Sequence, residues 1–165
     1  LQVGDDEIRA QMLAFSLRPL AEIDALLAEH AEAPHLRIAQ RELAHEVTAL
    51  VHGEAAAAAA DEAADVLFGS DPSEASVAAL EAVGREVPSS GMTRVQLDDL
   101  VEVLVATDLA RSKGDARRTL EGSGFRCNGV VLEASSQLSD LDPLHGRYLL
   151  LQRGKKSHHL LEVFP

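Results

Sequence analysis

Up to residue 86 the apolar residues recur at the three- and four-residue intervals of a helix, and alternation across a strand first occurs at Phe125-Arg126-Cys127. That late change of period restricts the chain to a helical first part followed by a small sheet. Asp5, Asp6 and Glu7 place negative charge in a first turn, where the helix dipole favours it, and Ile8, Met12 and Phe15 follow at helical spacing. A helix is expected from Asp5 to Ser16. After Pro19, Leu20, Ile23, Leu27 and Ala31 form one stripe that ends near Ala33-Pro34, because the residue before proline avoids the helical region. Leu36, Ala39, Leu43, Val47, Leu50 and Val51 mark a third helix closing at His52-Gly53. The alanines from Ala55 to Ala60 continue to Leu67 as a thin helix of high intrinsic propensity. Asp71-Pro72-Ser73-Glu74 supplies the cap, first-turn proline and third-position acid of a short helix through Val83.

Gly84 to Met92 holds glycine, proline and serine with almost no large apolar residue, the composition of a connector. Beyond it, Leu97, Leu100, Val101, Leu104 and Val105 form a buried helical stripe, and Ser112-Lys113-Gly114-Asp115 starts another helix that ends before Gly122. Asn128-Gly129 is the strongest two-residue hairpin turn, joining Phe125-Arg126-Cys127 to Val130-Val131-Leu132. Tyr148 to Arg153 and His158 to Val163 form a second hairpin around Gly154-Lys155-Lys156. The expected fold is α+β: a helical domain over residues 1–86, a linker over 87–95, and a small domain with a short antiparallel sheet over 96–165.

No stretch approaches the roughly 20 apolar residues of a membrane-spanning helix, and the N-terminus lacks the basic and apolar segments of a secretory signal. Cys127 is the single cysteine, which excludes an intramolecular disulfide and a cysteine-built zinc site and fits a reducing cytoplasm. The chain starts at Leu1 rather than Met, so a fragment of a longer protein is expected. Net charge is −12, unfavourable for nonspecific nucleic-acid binding, but it is unevenly distributed. Residues 1–90 carry 17 acidic and 5 basic side chains, whereas residues 91–165 carry 10 of each. Arg111, Lys113, Arg117, Arg118 and Arg126 cluster in one window, and Arg147, Arg153, Lys155 and Lys156 in another that has no acid. Two basic clusters on one small domain favour a polyanion.

Catalytic signatures are missing: there is no glycine-rich phosphate loop, no Gly-x-Ser-x-Gly elbow and no His-Glu-x-x-His helix. No catalytic residue, cofactor or metal is expected in these residues. His158 and His159 are adjacent on a strand and so face opposite ways, unsuited to chelating one ion. Arg37, Arg41, His45, Thr48 and His52 form a polar stripe on the third helix, able to meet RNA phosphate or simply to complement the helix C-terminus. The helix beginning at Ser112 buries Ala116 and Leu120, sets Lys113 and Arg117 beside that face and opens with unpaired backbone N–H groups suited to phosphate. Arg126 and Asn128 in the adjoining hairpin would extend this surface toward a structured RNA backbone. One Tyr and four Phe are too few to stack a row of single-stranded bases.

Leu104-Val105-x-x-x-Leu109-Ala110-x-Ser112-Lys113-x-x-Ala116-Arg117-Arg118, with Gly124-Phe125-x-x-Asn128-Gly129, resembles the αL RNA-binding domain named after a small-subunit ribosomal protein. Ala39-Gln40-Arg41-x-Leu43-Ala44-x-Glu46-Val47-Thr48-x-Leu50-Val51-His52-Gly53, with Leu67-Phe68-Gly69, resembles the helical anticodon-binding region of bacterial tyrosyl-tRNA synthetases. Arg147-Tyr148-Leu149-x-x-x-Arg153-Gly154-Lys155-Lys156 is similar to the C-terminal hairpin of the same family.

The resemblance implies the tRNA-recognition portion of a cytoplasmic ligase that attaches tyrosine to its tRNA. The catalytic domain, with its ATP and Mg, is absent, so this chain should bind tRNA without charging it. The parent would be a homodimer through the missing domain, and the fragment a monomer without membrane attachment. The implied contacts with tyrosine tRNA and its long variable arm are Arg111, Ser112, Lys113, Arg117, Arg118, Arg126, Asn128, Arg153, Lys155 and Lys156. Asp5, Asp6, Arg37, Arg41 and His45 are the anticodon candidates, and helix capping competes for Asp5 and Asp6. The alternatives are a stand-alone αL-domain protein acting on ribosomal RNA and a helical protein-interaction module.

Overall fold

A computed structural model describes residues 3–165. The chain is α+β and divides into two compact units between Asp61 and Glu62, within a helix rather than within the expected linker. The first unit holds α1 (Ile8–Phe15), α2 (Leu20–Glu32), α3 (Ile38–His52) and the start of α4 (Glu54–Phe68). Its core is Ile8, Met12, Ile23, Ala39 and Leu43, residues of the three apolar stripes. Each would contribute about 1.5–3 kcal/mol on burial if as large as Ile or Leu. Arg18 ties the turn between α1 and α2 to α3, donating to Glu42 at 2.6 Å and approaching Glu46 at 3.3 Å. Glu46 also accepts from the Leu17 N–H at 2.6 Å and the Ser16 hydroxyl at 2.8 Å.

The second unit contains the end of α4, α5 (Val77–Glu86), α6 (Leu100–Ala106), α7 (Lys113–Glu121) and one five-stranded sheet. The strands are β1 (Ser89–Thr93), β2 (Phe125–Cys127), β3 (Val130–Val131), β4 (Tyr148–Arg153) and β5 (Ser157–Phe164), in the order β1-β5-β4-β2-β3. Leu149, Leu151, Leu161, Phe125 and Cys127 face α6 and α7. Tyr148, Leu150 and Leu160 form the opposite face, covered by α5 and the end of α4. Period-2 alternation therefore sends successive β4 residues into two separate cores, which is why the strand reads as a continuous apolar run.

Three expectations differ from this architecture. α1 begins at Ile8, so Asp5, Asp6 and Glu7 precede its first turn rather than occupy it. The sheet is mixed rather than purely antiparallel, because β1 lies inside the expected linker and pairs parallel with β5, Ser89 opposite Leu160 and Thr93 opposite Phe164. The exposed Phe164 ring lies over Gly91, where an added Cβ would stand 2.3 Å from it. Asp71 caps only the 3₁₀ turn Pro72–Glu74, its carboxylate accepting from Ser73 N–H. α5 starts later, with Ser76 as cap, and runs through Gly84 to Glu86.

Candidate nucleic-acid interface

The Ser112 hydroxyl caps α7 by accepting from Asp115 N–H at 3.2 Å. The Asp115 carboxylate turns the other way, accepting from Arg111 N–H at 3.0 Å and from both Arg153 Nη atoms at 2.8 and 3.0 Å. Arg153 also donates to the Leu109 carbonyl at 2.8 Å and the Thr119 hydroxyl at 3.2 Å, and lies 5.6 Å over the Phe125 ring centre. The Arg153 fork pulls the Asp115 carboxyl down to about 2. Arg153, expected at the RNA surface, is thus occupied as a strut that fixes β4 against α7. Its planar five-donor fork suits that role better than a lysine would.

Gly154 N–H donates to the Gly124 carbonyl at 3.0 Å and holds the β4–β5 turn, with its exposed Lys155 and Lys156, at the connection leaving α7. Arg111 precedes the cap of α7, and Arg117 and Arg118 lie on the exposed side of the helix, away from buried Ala116 and Leu120. Among the described residues none of these five has a carboxylate within 4.0 Å, although Arg118 adds longer-range attraction to Asp115. Lys113 pairs with Glu102 on the surface, where such a pair contributes about 0–1 kcal/mol and yields readily to a stronger anion.

Two expected members fall elsewhere. Arg126 pairs with Gln152, on the sheet face of Leu150, whereas Phe125 and Cys127 share the opposite face with α7. Its guanidinium therefore points away from α7, and Nη1 donates to the Gly129 carbonyl at 2.9 Å. Asn128 is structural: its N–H donates to the Leu150 carbonyl at 2.9 Å and its Oδ1 accepts from Leu150 N–H at 2.8 Å, extending the ladder past the end of β2.

In the first unit, Asp5 accepts from Gln40 Nε2 at 2.7 Å and meets His30 Nε2 at 3.2 Å, and the Gln40 contact holds its carboxyl below the ordinary carboxylate value. Asp6 and Arg41 are exposed. Arg37 starts α3 in the left-handed region at φ 53° and donates to the Val3 carbonyl at 3.1 Å. His45 is clamped, Nδ1 2.6 Å from Asp61 and Nε2 2.9 Å from Glu54. Carboxylates only accept, so both ring nitrogens donate as imidazolium, and Asp61 above all raises the pKa. His45 therefore braces α3 against α4 instead of standing open on the stripe. His158 and His159 do face opposite sides of β5, and no cluster able to hold a metal occurs among the described residues. Sequence reading missed Asp115, Asp61 and Glu54 as partners. The basic residues they hold lie 38, 16 and 9 positions away, and no local motif links them.

The model of the Tyrosine--tRNA ligase SYY-like C-terminal domain matches residues 79–161, from α5 through most of β5. The chain belongs to this family. It is 41% identical over 167 residues to a tyrosine–tRNA ligase of Anaeromyxobacter dehalogenans, covering 99% of this chain and 40% of that protein. A tyrosine–tRNA ligase of Bacteroides fragilis is 40% identical over 173 residues, covering 98% of this chain and 40% of the relative. That of Kineococcus radiotolerans is 42% identical over 159 residues, covering 95% and 37%. The chain thus spans about two fifths of the length of these relatives. The SYY-like unit includes α5 and β1, in keeping with the placement of residues 62–165 in one compact body.

Proposed function

We propose that this chain is the tRNA-recognition portion of a tyrosine–tRNA ligase, and that it grips folded RNA along the exposed edge of α7 and the adjoining β4–β5 turn. Arg111, Arg117, Arg118, Lys155 and Lys156 supply the positive charge, with Lys113 released from Glu102 on binding. The observation that carries this reading is that Arg111, Arg117, Arg118, Lys155 and Lys156 sit on elements locked by the Asp115–Arg153 fork, yet none of them has a carboxylate within 4.0 Å among the described residues. A preset cationic edge suits phosphates of a structured RNA, which are recognised by shape and position more than by base edges. The acidic first unit, 11 acids against 4 bases over residues 1–61, would repel phosphate and so restrict the anticodon side to a few contacts, with exposed Asp6 and Arg41 in that role. Tyrosine activation, with its ATP and Mg, and homodimerisation are assigned to the part of the relatives that this chain does not match, and the whole to the cytoplasm.

Binding is tested by comparing tyrosine tRNA with the same tRNA shortened in its long variable arm. The shortened form should bind at least about tenfold more weakly, the effect of roughly 1.4 kcal/mol of lost contacts. Equal affinities would refute the placement of the variable arm on this edge.

A further inference from the structure

Arg126, turned away from α7, lines a cavity of about 460 Å³ on the other face of the sheet. That volume lies within the range of small-ligand sites, large enough for one nucleoside. Its apolar walls include Val66 and Leu150, and its polar groups include Gln152, Asp71 and His158. Arg126 Nη1 is fixed to the Gly129 carbonyl. Gly129 in turn packs on the turn that carries Asp71, since a Cβ added to it would lie 3.4 Å from Pro72 Cδ and 3.9 Å from Asp71 Oδ1. A guanidinium and a carboxylate therefore flank the same glycine, yet they form no ion pair with each other, and Asp71 has no cation within 4.0 Å among the described residues. Asp71 is held ionised by the Ser73 N–H, 2.9 Å away. His158, 9% exposed, is kept neutral by burial, and its ring has no hydrogen bond to the described residues.

A bound phosphate would meet repulsion from Asp71, and an apolar ligand would leave the remaining N–H groups of Arg126 and the second carboxylate oxygen of Asp71 unused. The complementary ligand presents two neighbouring acceptors on one edge and two neighbouring donors on another. Guanine does so, with O6 and N7 as acceptors and N1–H and the N2 amino group as donors. We propose that this cavity receives one unpaired guanine of the bound RNA, O6 and N7 accepting from Arg126 and the N1 and N2 hydrogens donating to Asp71. Unstacked bases of single-stranded loops are the usual targets of such edge recognition. The proposal deepens the RNA-binding reading by naming a base that the second unit reads, on a face separate from the α7 edge.

The test titrates the full chain with GMP, AMP, CMP, UMP and inorganic phosphate, following the Arg126 Nε–H and Gln152 side-chain amide signals by NMR. GMP should shift both signals and bind at least about fivefold more tightly than the other three nucleotides, with phosphate producing neither shift. Asp71→Asn, which keeps a cap for the 3₁₀ turn, should remove the preference for GMP while the spectrum of the rest of the chain is preserved. Similar binding of all four nucleotides, the same shifts with phosphate alone, or an unchanged preference in D71N would overturn the proposal. Arg117→Ala combined with Arg118→Ala keeps the two readings separable. That variant should retain GMP binding even though it loses affinity for tRNA.

Discussion

Asn128 stands at φ 49°, in the left-handed region, and its side chain takes the place of a strand residue by accepting from Leu150 N–H at 2.8 Å. Replacing it by alanine removes two stabilising features at once. Leu150 is 3% exposed, so its N–H would be left buried without a partner, which costs about 1–3 kcal/mol. Alanine in the left-handed region adds about 1–2 kcal/mol of steric strain that asparagine largely avoids. The expected loss for Asn128→Ala is therefore about 2–5 kcal/mol, measured by urea unfolding at unchanged m-value. Asn128→Gly relieves the strain but not the lost bond and should fall between alanine and the native chain, whereas Asn128→Asp keeps the acceptor and should lie within about 1 kcal/mol of it. A glycine variant as stable as the native chain would show that the side-chain bond contributes nothing. An aspartate variant as unstable as alanine would refute the acceptor role.

His45 and Asp115 give opposite pH signatures. The His45 pKa is raised in the folded chain, so its contribution is fully present below the unfolded value of about 6.5 and is lost as pH rises through the folded value. Stability of the first unit should decline from neutral to alkaline pH, and His45→Gln should flatten that decline in unfolding curves taken at successive pH values. The Asp115 pKa is depressed to about 2, so its contribution is present above the ordinary carboxylate value and lost as pH falls toward 2. Arg153→Leu should return the Asp115 carboxyl toward about 3.9 in a carbon-13 NMR titration, and a midpoint still near about 2 would mean that another group holds it.

The elements with local signals were legible. Ser112 and Asp115 three positions apart announce the start of α7, and Asn128-Gly129 announces the β2–β3 turn, because both depend on hydrogen bonds within a few residues. β1 was not legible. Ser89-Ser90-Gly91 has neither branched nor aromatic side chains, its partner β5 lies about 70 positions later, and a parallel edge strand needs no turn signal beside it. The basic cluster was legible as composition, but its division was not. Whether an arginine is open or occupied depended on carboxylates distant in sequence, Asp115 for Arg153, and the strand register alone turned Arg126 to the opposite face. The His45 clamp was likewise concealed, because Glu54 and Asp61 come from the next helix.

The proposed grip on RNA depends on exposed cations beside α7 forming a ready-made cradle for phosphate. The most direct measurement is the dependence of tRNA affinity on salt for the native chain and for Arg117→Ala with Arg118→Ala. Loss of two phosphate contacts should flatten the slope of log affinity against log salt by about 1.5–2 and leave the unfolding temperature nearly unchanged. An identical slope in the two proteins, or a variant that fails to fold, would contradict it.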